Sequence, residues 1–198
     1  EKKRVEVEKV AKAEAEERVR AEAEEKRLKE AEGAEEKLLG VWTEGKLQGD
    51  DLVTWVKENV TLLPSGDKLV NAMLKESYGS TPKLGGDVFE EERWGAALCQ
   101  MGADNVDAQM EFLYGLQVYL NGIGFPKVDG KAVSAELMKA MYKHDIAESE
   151  AQIAYGEDER EEWEVGKTNV VIQCTSWFAW LGESDDESSS EEEDSDEE

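Results

Sequence analysis

The sequence is poor in the residues that most often carry chemistry. It holds one histidine, two cysteines and three prolines in 198 residues. His144 stands between Lys143 and Asp145, with no Ser, Cys or second His close by. It reads as a surface residue near a helix end rather than a catalytic base. Cys99 and Cys174 lie far apart and form no CxxC pair. That argues against a zinc ribbon and a disulfide framework, and suits a reducing, cytoplasmic setting. Gly122-Ile123-Gly124 lacks the third glycine of a dinucleotide fingerprint and follows no strand. No Walker-type loop and no metal-ligand spacing occur. No enzyme active site, cofactor or metal is therefore expected. There is also no apolar run long enough to span a bilayer, and no signal peptide.

What is abundant is negative charge. The net charge is −25, and it is spread unevenly. Residues 183–198 hold 11 acids, 5 serines and no base. Residues 1–40 hold 13 acids and 11 bases, so they are near neutral. Such a chain is unsuited to gripping phosphate backbones or an anionic leaflet. Basic peptides, basic protein faces or cations are the natural partners. The plain alternative is that acidity serves solubility alone. The first residue is Glu, not Met, so the chain is expected to be a fragment or a processed piece with a domain upstream.

Residues 1–38 are rich in Glu, Lys, Arg and Ala, without a continuous apolar stripe. They predict an exposed charged helix or linker. From Leu38 the pattern changes. Asp50 or Asp51 can cap a first helix with Leu52, Val53, Val56 and Val60 inward. Asp67 can open a second after Pro64-Ser65-Gly66. A third is predicted over Val88–Met101. Asn105 is a good cap for a fourth, with Val106, Met110, Leu113, Leu116 and Leu120 inward. A fifth spans Ala132–Tyr142 and a sixth Asp145–Tyr155. The last, Lys167–Leu181, carries Val170, Cys174, Trp177, Phe178 and Leu181 at steps of four, three, one and three. That is a helical period, and no strand-like alternation competes. The fold class is all-α: antiparallel helix pairs stacked as a short solenoid over 39–182, after the charged helix and before a disordered acidic tail over 183–198.

Two acidic–aromatic clusters carry information. In the first, Asp145 to Tyr155, burial of Ile146, Ile153 and Tyr155 projects Glu148 and Glu150 outward. Acids in a first turn also complement the helix dipole, which alone would explain them. In the second, Trp177, Phe178 and Leu181 share a face, while Trp180 turns away. Trp180 either closes against another helix or lies at the surface as an interface anchor. Glu183, Asp185, Asp186 and Glu187 follow as an acidic rim. Ser184, Ser188, Ser189, Ser190 and Ser195 each have an acid three residues on, which suits an acidophilic kinase.

In this order the clusters resemble the two acidic–aromatic boxes of the W2 domain, the HEAT-like C-terminal domain of certain eukaryotic translation initiation factors. The boxes are Asp145-Ile146…Glu150…Tyr155 and Trp177-Phe178-Ala179-Trp180-Leu181-Gly182-Glu183-Ser184-Asp185-Asp186-Glu187-Ser188-Ser189. Tyr155 stands where the family usually has Trp, Ser149 where it has an acid, and Ser184 where it has Ala. Ala108-Gln109…Leu113-Tyr114-Gly115-Leu116, Met138…Met141-Tyr142…Asp145 and the acidic serine tail look most like the factor 5 branch. The likeness covers about Asn105–Glu198 and leaves out 1–37. It implies a non-enzymatic, monomeric assembly module that touches neither nucleic acid nor membrane. Its implied partners are the lysine-rich segments of the β subunit of initiation factor 2, and initiation factors 3 and 1. Its implied contact residues are Asp145, Glu148, Glu150, Tyr155, Trp177, Phe178, Trp180, Leu181, Glu183, Asp185, Asp186 and Glu187. Two other readings stay open. One is the ε subunit of initiation factor 2B, acting in nucleotide exchange. The other is a generic acidic helical scaffold.

Overall fold

Helices dominate because apolar residues recur at helical spacing while the intervening loops hold Gly, Pro and Asp. The computed structural model describes residues 2–43, 47–60 and 64–189. Helix α1, Lys2–Thr43, is followed by α2, Gly49–Asn59, and α3, Gly66–Tyr78. Helices α4, Ala96–Gly102, and α5, Val106–Ile123, come next. A two-stranded ribbon, β1 Lys127–Val128 and β2 Lys131–Ala132, leads into α6, Val133–Lys143. The chain closes with α7, Ser149–Glu157, α8, Lys167–Gln173, and α9, Thr175–Ser189.

Odd-numbered helices form one row: α1 packs on α3, α3 on α5, α5 on α7 and α7 on α9. In a second row α2 packs on α4 and α6 on α8. This is an all-α stack of helices in two rows, and the all-α class is as the sequence implied. Helix α5 sits at its centre and buries Met110, Phe112, Leu113, Leu116, Tyr119 and Leu120 on several sides. It comes so close to α3 that a Cβ on Gly115 would lie 2.4 Å from the Asp67 carbonyl oxygen. Glycine is what allows that approach.

Local chemistry explains several element starts. Asn105 caps α5, its side-chain oxygen accepting from the Ala108 N–H at 3.0 Å. Ser65 precedes α3 and donates its hydroxyl to Asp67 in the first turn. The residue before α2 is Gln48, so Asp50 and Asp51 sit in the first turn and favour the dipole rather than cap it. In α1, ion pairs four residues apart join Lys12 to Glu16, Arg18 to Glu22, Lys26 to Glu30 and Glu25 to Lys29. Residues 15–30 are exposed, but Leu38 is fully buried and Lys68 of α3 reaches Glu32 at 3.6 Å. The charged helix thus runs unbroken into the folded body.

Five expectations need correction. The third predicted helix is broken. A single 3-10 turn, Asp87–Phe89, precedes a wide turn, Glu91–Gly95, in which Arg93 leaves helical geometry, and only then does α4 begin. The Asp87 carboxylate accepts from Tyr78 Oη at 2.6 Å and from Arg93 at 2.7 Å, which draws that segment onto α3. The last helix is two. Thr175 Oγ1 donates to the Val171 and Ile172 carbonyls at 3.1 and 3.0 Å, competing with the helical ladder, and Cys174 turns out of it. The sixth helix starts at Ser149 rather than Asp145, which takes φ +54 in a left-handed turn. The β-ribbon went unpredicted although Asp129-Gly130, at φ +50 and +79, is a strong two-residue hairpin signal. Helix α9 also carries past Leu181 to Ser189. The first residues of the acidic tail, expected as disordered, continue it.

Candidate docking surface

The surface is built on α6, α7 and α9. Its anchor is Gln152, which is fully buried in α7. Its amide donates to the Met138 carbonyl at 3.1 Å and the Ala147 carbonyl at 2.9 Å. Its oxygen accepts from Trp177 Nε1 at 2.7 Å. One carboxamide therefore ties α6, the turn before α7, and the aromatic stretch of α9 together. With the indole N–H satisfied inside, the Trp177 ring is fixed in place.

On that fixed ring a cluster assembles. Trp180 stacks on Trp177, with centroids 4.8 Å apart and planes at 16°. Tyr142 of α6 meets both edge-on, at 5.4 Å from Trp177 and 5.8 Å from Trp180. Such geometries suit the ring quadrupoles. Trp180 nevertheless stays 46% exposed. A cleft of about 290 Å³ opens beside it, lined by Lys139, Ser176, Trp177 and Trp180. Lys139 Nζ lies 5.9 Å from the Trp177 ring centre.

The other residues expected at the surface divide. Leu181 is fully buried. Trp177 and Phe178 are half-buried, Phe178 lying over Gly156. Tyr155 is fully buried and donates its hydroxyl to Gln117. Lys167 covers it, 4.1 Å from the ring centre, and donates to the Tyr155 carbonyl. Burial, then the neighbouring Cys174 and Tyr114, push the Tyr155 hydroxyl well above its ordinary pKa. Its side chain is core, not contact surface. Asp145, Glu148, Glu150 and Glu183 are exposed. Glu148 precedes α7 and Glu150 stands in its first turn. The Glu148 N–H donates to buried Gln109 at 2.9 Å. Asp185, Asp186, Glu187, Ser184, Ser188 and Ser189 continue α9, with side chains outside those described. Ser190 and Ser195 lie outside the described residues.

Lys139, Ser176 and Gln152 were not singled out in the sequence, and Tyr142 was named only within a family-like motif. Lys139 and Tyr142 share the exposed face of α6 three residues apart, but nothing local says that α9 lies beside them. The thiols take no part. Burial pushes both Cys99 and Cys174 up to about 11. Cys99 donates to the His144 carbonyl at 3.0 Å. Among the described residues, no group of three or more His, Cys, Asp or Glu could hold a metal ion.

A family model described as W2, eIF4-gamma/eIF5/eIF2-epsilon, matches residues 108–198. The match starts in the first turn of α5 and takes in both acidic–aromatic clusters. No curated protein matches the chain.

Proposed function

We propose, starting from residues 108–198 as a segment of the W2 family, that this chain docks lysine-rich protein segments during assembly of the translation preinitiation complex. A W2 segment is a translation-initiation-related, helical protein-interaction domain. Our finer reading is a module like that of initiation factor 5. It works in the cytoplasm as a monomer without enzymatic activity. It takes the lysine-rich segments of the β subunit of initiation factor 2 and contacts initiation factors 3 and 1.

The observation that supports this best is the exposed Trp180 ring, held on Trp177 and Tyr142 and followed one turn later by exposed Glu183. An aromatic platform beside carboxylates receives a lysine in two ways. The aliphatic stem covers the ring while the ammonium meets the ring face or a carboxylate. The net charge of −25 speeds encounter with a basic chain and makes it salt-sensitive. Contact with the rings supplies a part that salt weakens less.

The test is a pull-down with a lysine-rich peptide of initiation factor 2 β at low and high salt. Capture is expected to fall with salt. It should be lost when Trp180→Ala is combined with charge reversal of Asp185, Asp186 and Glu187. Capture that survives those changes refutes the site.

A further inference from the structure

We infer that the α6 edge of the aromatic cluster is a carboxylate-selecting site. The preferred partner segment then carries one acidic residue beside the apolar side chain that covers Trp180, within its lysine cluster. This rests on the docking function proposed above.

The cluster has two unlike edges. On one, α9 continues from Trp180 to exposed Glu183, while exposed Glu148 precedes α7 and exposed Glu150 stands in its first turn. On the other, α6 presents exposed Lys139 and, one turn on, exposed Lys143. Exposed Lys131 of β2 adds to that edge. One acid on α6 opposes these lysines. Glu136 lies 3.3 Å from Lys139 and 3.9 Å from Lys131. Exposed Asp145 and Asp129 lie two residues from Lys143 and Lys131, so the positive character of this edge centres on Lys139, beside the rings. Tyr142 sits between Lys139 and Lys143 in sequence and touches both indoles, so the positive edge borders the rings directly.

The cleft beside Trp180 makes the selection. Its walls are Lys139, Ser176 and the two indoles. A partner lysine entering it would meet the Lys139 ammonium, a like-charge contact that works against binding. A carboxylate entering it would meet that ammonium and can accept from the Ser176 hydroxyl. A uniform lysine run satisfies the α7–α9 edge and clashes with the α6 edge. A segment with one acid among its lysines matches both. Lys139 is exposed, so the gain is that of a surface ion pair, about two- to fivefold in affinity.

The test uses the full chain and two synthetic peptides of identical composition, each with a lysine cluster, one leucine and one glutamate. In one the glutamate adjoins the leucine; in the other it sits at the far terminus. Affinities are read by titration calorimetry for the natural chain, Lys139→Gln and Lys139→Glu, after circular dichroism shows each folded. The natural chain is expected to prefer the adjoining arrangement about two- to fivefold. Lys139→Gln should erase that preference and Lys139→Glu reverse it. Equal binding of both peptides to the natural chain, with both shifted by one factor in the variants, overturns the carboxylate site and leaves the dock standing. Failure of both peptides to bind overturns the site and the dock together.

Discussion

Replacing Gln152 by Leu cuts the tie that fixes the aromatic cluster. Gln152 is fully buried and makes three hydrogen bonds, two donated at 3.1 and 2.9 Å and one accepted at 2.7 Å. The Met138 carbonyl lies inside α6 and keeps its helical donor, so its loss weighs least. The Ala147 carbonyl and the Trp177 indole N–H each lose a partner in a poorly hydrated setting. Each such group costs about 1–3 kcal/mol, while leucine fills most of the vacated volume. The expected loss is about 2–4 kcal/mol, or roughly 5–15 °C in Tm for a chain of this length. Urea unfolding followed by far-ultraviolet circular dichroism gives the free energy, and tryptophan emission reports the freed indole. Gln152→Glu sharpens the test. Its buried carboxyl would take a raised pKa in the folded state. Its stability relative to the natural chain should then be best at low pH and fall as pH rises through that value. A loss under about 1 kcal/mol for Gln152→Leu, with emission unchanged, would refute the assigned role.

Gly115→Ala places a Cβ 2.4 Å from the Asp67 carbonyl oxygen, so α3 and α5 must separate; a loss of about 1–3 kcal/mol is expected by thermal unfolding. Trp180→Ala is expected to cost under about 1 kcal/mol of stability, since the ring is half-exposed, yet to weaken lysine-rich peptide binding about tenfold by calorimetry. Burial raises both thiols to about 11 in the folded state, above the ordinary value of 9.0. Their stabilising effect is therefore complete below about pH 9 and is lost as pH climbs toward 11. Alkylation of Cys99 at pH 8 should accordingly be much slower than that of a free thiol. Phosphate on Ser184, Ser188, Ser189, Ser190 or Ser195 adds about −1.5 to −2 charge each and should tighten the same binding at low salt. Mass spectrometry of native protein checks occupancy, and five bare serines would remove that proposal.

Much of the fold could be read from periodicity, because an apolar stripe and a cap are local facts. The α5 start at Asn105, the inward residues of α6 and the burial of Leu181 follow from that logic. Breaks were harder. The turn at Cys174 goes with a Thr175 hydroxyl that competes for helix carbonyls, and the one at Arg93 with a long-side-chain contact to Asp87; no apolar pattern records either. The helical pattern turned Tyr155 inward, and only the resemblance to the W2 boxes made it a contact residue. Its burial depends on Gln117 from α5 and on Lys167, partners 38 and 12 residues away. Trp180 turned away from the α9 core stripe on sequence grounds, but only the placement of Tyr142 and Lys139 beside it makes a site. The acids at 185–187 were legible as charge, and the α9 backbone carries past Leu181 through them.

The central proposal is that Trp177 and Trp180 form the docking platform. The most direct measurement is a two-dimensional ¹⁵N NMR titration with the lysine-rich segment of initiation factor 2 β, following the indole N–H signals of the six tryptophans. The Trp180 and Trp177 signals are expected to move together and saturate, with those of buried Trp94 and Trp163 unmoved. Saturable binding that leaves Trp177 and Trp180 unshifted while signals of α2–α4 move would contradict it.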